Sequence, residues 1–378
     1  MPPNVFRTCR RFALRTEAVP NTVSRDRILD SSLTELCRYF EGARARDEPL
    51  AVATTIHTEG STYRKAGARV LISPGGKASG MLSGGCLEAD LLERAKRVLS
   101  NGRAERVLYD TTGSDDIFWG LGLGCEGVTE IWLQPTSAEQ RYEPLAHLQH
   151  CLQRNRPGSI ATVVGGQALE SELGRHGYAG ISSDDPLEAR LGSIVAKEPG
   201  LEIIPYLGRE LEVFVAPVAL PPTLLLCGGG PDAVPVARLA DTLGWRVTVM
   251  DHRPAFADPS RFPGPTRVIS APADELSARA ELALFDAAVV MSHHLEADIA
   301  YLRQLAGQPP RYIGLLGPSR RRARLLNESG KTTQLISDRI YGPAGLNIGA
   351  DSPASIAIAI IAEIYSVLSG KLFGSGWN

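Results

Sequence analysis

Apolar positions in the first half of the chain recur at helical spacing and then at strand spacing. In "RILDSSLTELCRYFEGARAR" the residues Ile28, Leu29, Leu33, Leu36 and Phe40 form one apolar face, which predicts a helix. "PLAVATTIHTEG" reads as a buried strand running into a glycine turn, "ARVLIS" as a second strand, and "GGKASG" as a hairpin-like turn. "EADLLERAKRVLSNG" predicts a helix stopped by Asn101-Gly102, and "AERVLYD" and "VTEIWLQP" predict further strands. After Ser137 the pattern weakens. It offers one helix ("PLAHLQHCLQ"), one strand ("SIATVVGG") and short strand-like pieces ending at "EVFVAPV".

"ALPPT", Ala219 to Thr223, is stiffened by two prolines and reads as a linker. Beyond it, strands and helices alternate. "TLLLC" is followed by a glycine turn, the helical "AVPVARLADTLG" and the strand "RVTVMD". "DAAVVMS" and "RYIGLLG" are each followed by helical text, and "SPASIAIAIIAEIYSVLS" is a final helix. Such alternation predicts a parallel, doubly wound sheet. The expected fold class is therefore α/β, with an N-terminal mixed α/β domain over 27–220 and a C-terminal Rossmann-like domain over 221–378. Residues 1–26 are set aside: "NVFRTCRRFALR" is arginine-rich and acid-poor, and reads as a disordered extension rather than a transit peptide.

Composition narrows the function. A formal net charge of -2 gives no electrostatic footprint for nucleic acid or an anionic membrane. No apolar run approaches the ~18 residues of a membrane span. The six cysteines (Cys9, Cys37, Cys86, Cys125, Cys151, Cys227) are scattered without a CxxC pair, which argues against a disulfide framework or zinc ribbon and for reduced thiols in the cytoplasm.

Two of those cysteines stand in glycine-rich text. "LSGGCLEADL" sets Gly84, Gly85 and Cys86 before a helix whose first turn holds Glu88, and "WGLGLGCEG" sets Cys125 after Gly124. A thiolate at a helix N-terminus is favoured by free N–H groups and the helix dipole. Glycines let an anionic phosphate approach the backbone. Glu88 could hydrogen-bond a heterocycle edge or cap its helix. Small buried packing is the commonest role of a free cysteine, but two such loops in one domain favour a functional role for Cys86 and Cys125.

In the second half, "CGGGPDA" places Gly228, Gly230 and Ala233 in a G-x-G-x-x-A frame between a strand and a helix, and Asp251 ends the next strand. In a dinucleotide fold Gly228 permits the turn, Gly230 admits a pyrophosphate, Ala233 allows close packing and Asp251 accepts from a ribose hydroxyl. Pro235 is expected in the first helical turn, where a missing N–H costs little. His293, His294 and Asp298 in "SHHLEAD" fall at a strand's carboxyl end; His293 reads as a ligand contact and His294 as structural. "GLLGPSRRRARLL" places Ser319 and Arg320 in a helix's first turn, where an anion could bind.

Taken together, "TEGSTYRKAGARVLIS", "LSGGCLEADL" and "YDTTGSDDIFWGLGLGCEG" resemble the N-terminal domain of the XdhC/CoxI family. "LLLCGGGPDA", "DHRP", "SHHLEAD", "RYIGLLGPSRRRARLL" and "GPAGLNIGADSPASIAIAIIAEI" resemble its Rossmann domain. The chain departs from the family pattern at Pro231-Asp232, His294 and Glu126. Members are accessory factors of molybdenum hydroxylases such as xanthine dehydrogenase and carbon monoxide dehydrogenase. The resemblance implies a chaperone rather than an enzyme, one that binds the molybdenum cofactor, protects it during sulfuration and delivers it to the apoenzyme. It implies Cys86 and Cys125 as the residues that handle metal and sulfur, since soft thiolates suit that chemistry. It also implies Glu88, Gly84, Gly85, Gly124 and Arg64 as cofactor contacts. The implied partners are the hydroxylase apoenzyme and a cysteine desulfurase, with a homodimer expected from an apolar C-terminal helix. The competing reading is an NAD(P)-dependent oxidoreductase with its nucleotide at Gly228, Gly230 and Asp251. That reading leaves the cysteine loops unexplained. A nucleotidyltransferase would want a lysine-bearing phosphate loop and paired metal-binding acids, which the sequence does not offer.

Overall fold

The structure, a computed structural model, describes residues 32–82, 87–111 and 127–370. It divides into two compact units, one of Asp47–His147 and Pro157–Val218, the other of Ile28–Arg46, Leu148–Arg156 and Ala219–Asn378. The first elements along the chain are α1 (Ser32–Ala45), β1 (Leu50–Gly60), β2 (Arg69–Ile72), β3 (Ala78–Ser79), α2 (Glu88–Asn101), β4 (Glu105–Asp110) and β5 (Gly127–Thr136). They are followed by α3 (Leu145–Arg154), β6 (Ser159–Gly166), β7 (His176–Tyr178), α4 (Pro186–Gly192), β8 (Gly200–Tyr206) and β9 (Arg209–Pro217).

The first unit holds two antiparallel sheets, ordered β3-β2-β1-β5-β4 and β7-β6-β9-β8. Strand β1 is buried on both faces, as its run of apolar residues demands. Ala51, Ala53, Ile131 and Leu133 pack with Leu91, Ala95 and Val98 of α2. On the opposite face Ile56 and Trp132 meet Val164, Phe214 and Ala216 of the second sheet. The period of two along each strand produces this division. Helix α2 ends where the sequence places its stop: Gly102 is left-handed (φ 71°) and donates its N–H to Val98 O at 3.0 Å.

The second unit continues with β10 (Thr223–Cys227), α5 (Ala233–Thr242), β11 (Arg246–Asp251), β12 (Arg267–Ser270), α6 (Leu276–Arg279), β13 (Ala287–Val290) and α7 (Leu295–Gly307). It ends with β14 (Tyr312–Leu315), α8 (Ser319–Ser329), α9 (Lys331–Gln334), β15 (Ile340–Tyr341) and α10 (Pro353–Ser369). Its sheet is parallel, in the order β12-β11-β10-β13-β14-β15. That is the 3-2-1-4-5-6 order of a Rossmann fold, so the doubly wound expectation is met. Within β10, Leu224 and Leu226 pack with α5 and α10, whereas Leu225 and Cys227 pack on the α7 face. Covered faces on both sides explain why "TLLLC" carries no polar alternation.

Helix α1 and most of α3 group with this second unit, although both precede the proline linker. Long-range polar contacts hold them there. Thr34 Oγ1 donates to Gly244 O (2.7 Å), Arg38 pairs with Asp241 (3.0 Å), and Arg246 Nη1 donates to Leu152 O (2.9 Å). No helix among the described residues is long and apolar enough to cross a membrane.

Candidate functional site

Two regions concentrate chemistry. One is the end of the five-stranded sheet from which both cysteine-bearing segments depart. Cys86, Cys125, Gly84, Gly85 and Gly124 themselves lie outside the described residues, but the residues that flank them are placed. Leu87 precedes α2 with no side chain capping the helix, and Glu88, half-buried, is its first residue. Two residues later Asp90 accepts from Arg94 Nε (2.6 Å) and from the Tyr109 hydroxyl (2.8 Å). Burial pushes the Asp90 carboxyl up, yet the bonds from Arg94 and Tyr109 overcome it and leave the pKa lowered.

Tyr109 on β4 pairs across the ladder with Thr129 on β5. One step on, Thr111 and Gly127 clasp each other. Thr111 N and Oγ1 both donate to Gly127 O (3.0 and 2.8 Å), and Gly127 N donates to Thr111 Oγ1 (3.2 Å). A Cβ on Gly127 would stand 2.7 Å from both Glu59 O and Ser61 O, so only glycine fits. The start of α2 and the Thr111–Gly127 clasp therefore share one end of this sheet, tied by the Asp90–Tyr109 bond. Arg64 is half-buried in the turn between β1 and β2.

The second region is the crevice at the carboxyl ends of the parallel strands, at the switch between β10 and β13. Gly228 (φ 125°) lies so close to the β13 end that a Cβ would be 2.5 Å from Ser292 N. Ala233 is fully buried, as the motif requires, and Pro235 falls in the first turn of α5, where its missing N–H is tolerated. Asp251 is fully buried and its oxygens are engaged. Oδ1 accepts from Arg253 N (2.8 Å) and Nε (3.0 Å), while Oδ2 accepts from Gly229 N (2.8 Å) and an Arg253 terminal nitrogen (2.8 Å). Burial raises its pKa, and the bonds from Arg253 and Gly229 more than offset that, leaving it lowered. A carboxylate has about four lone-pair sites, so a ribose at Asp251 must displace Arg253.

The glycine turn carries its own anion. Asp232 opens α5, with Oδ1 2.7 Å from where a Cβ on Gly230 would be. Its Oδ2 is 2.7 Å from His293 Nε2. His293 holds a left-handed backbone (φ 62°), uncommon for a residue with a side chain. Pro231 has no N–H to offer a pyrophosphate. His294 is structural, as expected: its Nδ1 accepts from Ala297 N at the start of α7 (3.3 Å). Ser319 and Arg320 are exposed at the first turn of α8, while Arg321 turns inward to Asp298 Oδ2 (2.6 Å). Asp298, only 1% exposed, also accepts from Ser292 N (3.2 Å) and Oγ (2.5 Å), and Ser292 O accepts from Arg253 (3.1 Å). A continuous chain Asp251–Arg253–Ser292–Asp298–Arg321 thus braces the crevice. Sequence reasoning missed Arg253 and Asp232 as members of it, although "DHRP" and "GPDA" put both beside the residues it chose.

The described cysteines do not offer a reactive thiolate. Cys37, Cys151 and Cys227 are buried and form no disulfide. Burial pushes the Cys37 and Cys151 thiols up to about 12, and raises that of Cys227 well above its usual value.

An antiparallel first unit with glycine-rich cysteine segments, followed by a Rossmann unit, gives the chain a two-part architecture. A profile of the XdhC and CoxI family matches residues 43–110, and one of the XdhC Rossmann domain matches residues 224–364. The chain belongs to the XdhC and CoxI family. It is 34% identical over 323 residues to a protein of Bacillus subtilis (strain 168) named as a probable xanthine dehydrogenase subunit, covering 84% of this chain and 92% of the relative. It is 23% identical to "Molybdenum cofactor insertion chaperone PaoD" of Escherichia coli (strain K12), over 88% of this chain and 87% of that protein. A crystal structure described as a xanthine dehydrogenase from Bacillus halodurans superposes with a TM-score of 0.72 at 29% identity, covering 91% of this chain and 98% of that one.

Proposed function

We propose that this protein is an accessory factor that binds the molybdenum cofactor, protects it during sulfuration and delivers it to a hydroxylase of the xanthine dehydrogenase type. The observation that carries the reading is the shared origin of the two cysteine-bearing segments: α2 and the Thr111–Gly127 clasp, which lead to Cys86 and Cys125, stand at one sheet end. Kinship to a chaperone named for molybdenum cofactor insertion supports it. In this reading Cys86 and Cys125 hold molybdenum or its sulfur as thiolates, Gly84, Gly85 and Gly124 let the bound cofactor approach the backbone beside them, and Glu88 and Arg64 are further contacts to it. The apo-hydroxylase and a cysteine desulfurase are the partners, and the cytoplasm is the compartment. The oxidoreductase alternative meets two obstacles in the crevice, since Asp251 is occupied by Arg253 and Asp232 places a carboxylate at the phosphate corner.

Cys86→Ser tests the assignment. A serine hydroxyl stays protonated at neutral pH and is a poor partner for molybdenum or sulfur. The variant should keep the wild-type melting temperature, lose bound molybdenum, and leave a coexpressed hydroxylase with molybdopterin but a low sulfido fraction. Full molybdenum retention and full hydroxylase activity would remove Cys86 from the site and make Cys125 the residue to change next.

A further inference from the structure

A cavity of about 300 Å³ lies between the end of β1, the turn after it and the start of β8, wholly within the first unit. Ile56, Pro199 and Leu201 give it apolar walls, and His57, Lys65 and Glu198 add polar groups. Its volume falls at the lower end of the range for small-molecule clefts. The two segments that line it are fitted to each other. Gly67 is left-handed (φ 93°), and a Cβ there would approach Pro199 Cγ to 3.1 Å.

The charges in this cavity are left apart. Lys65 reaches only Thr62 Oγ1, at 3.5 Å, and Glu198 makes no hydrogen bond or ion pair among the described residues. Opposite charges that line one small cavity without pairing suit a ligand with a donor edge at one end and an anion at the other. His57 Nε2 is meanwhile held by Glu59 Oε1 at 3.0 Å. The β1 wall runs on into Glu59 and Ser61, whose carbonyls stand against Gly127, so the cavity adjoins the clasp described above.

Resting on the cofactor-carrying reading, we propose that this cavity seats the pterin of the molybdenum cofactor, with Glu198 on its aminopyrimidinone edge and Lys65 on its terminal phosphate. That edge presents two parallel N–H donors, which a carboxylate accepts in the fork geometry it uses with guanidinium. Lysine meets phosphate as a point charge. The apolar walls cover the ring.

Full-length protein, molybdenum cofactor freshly released from a purified molybdenum hydroxylase, and the same cofactor after phosphatase treatment test the assignment. Lys65 and Glu198 are both exposed, so Lys65→Ala and Glu198→Gln should melt as wild type does. Glu198→Gln should bind both forms about tenfold more weakly; Lys65→Ala should lose about tenfold for the intact cofactor and nothing for the dephosphorylated one. A wild type that binds cofactor alongside variants that bind both forms equally well would overturn the cavity assignment and leave the carrier reading standing. A wild type that holds neither form would overturn both.

Discussion

Lowering the pH from 6.5 towards 3 is expected to cost the first unit on the order of 1 kcal/mol of stability for each pH unit, through one side chain, His176. Its ring is fully buried, and burial together with the nearby positive charges of Arg69, His147 and Arg175 lowers its pKa from 6.5 to about 3. The hydrogen-bond relay explains why a second proton has no place. Trp132 Nε1 donates to Gln134 Oε1 (2.7 Å), so Gln134 Nε2 faces His176 Nε2 as a donor (2.9 Å). His176 then donates from Nδ1 to Thr162 Oγ1 (2.9 Å). The folded-state pKa lies below the unfolded one, so between those values the unfolded chain binds more protons. This contribution is complete above pH 6.5 and is lost as the pH falls. Denaturant titrations at pH 7.5 and 4.5 on wild type and His176→Gln should show the variant weaker at the higher pH but losing less on acidification. Equal losses in both proteins would mean that His176 does not stay neutral.

Asp251→Ala should destabilise the second unit by roughly 2–4 kcal/mol, because it leaves the buried Gly229 N–H and the Arg253 guanidinium without their shared acceptor. The expected readout is a clear fall in melting temperature with no nucleotide present. An unchanged melting temperature, combined with the loss of a nucleotide that wild type binds, would instead put Asp251 on a ribose. The residue is thus a test of whether this Rossmann crevice uses its motif for a ligand or for its own bracing.

The contrast between those two residues shows what the sequence could carry. The Rossmann unit was legible because each element is specified locally: "TLLLC" and "RVTVMD" are short apolar strands, and "SPASIAIAIIAEIYSVLS" begins with Ser352, whose side chain caps α10. The short strands β7, β12 and β15 were not, since none sits in a longer apolar run such as those that mark the equally short β13 and β14. The placement of α1 and α3 rests on contacts to residues far along the chain, such as Thr34 to Gly244.

At the candidate sites the same rule holds. Gly228 and Ala233 stand where a motif puts them, because close backbone approach leaves no room for alternatives. The partners of Asp251, Asp298 and Asp232 depend on which side chains the fold brings within reach, and no spacing rule reveals them. His57 and Lys65 line one cavity with Glu198 although they come from distant parts of the sequence. His176 offers no signal at all in the sequence, since its neutrality is a product of burial.

Whether this chain carries the molybdenum cofactor can be read from the ligand it holds. Mass spectrometry of the ligand released from protein purified out of a cofactor-producing host tests it most directly. The expected result is molybdopterin near one equivalent per chain with molybdenum alongside it; a preparation that yields NAD(P) and no pterin would contradict the carrier reading.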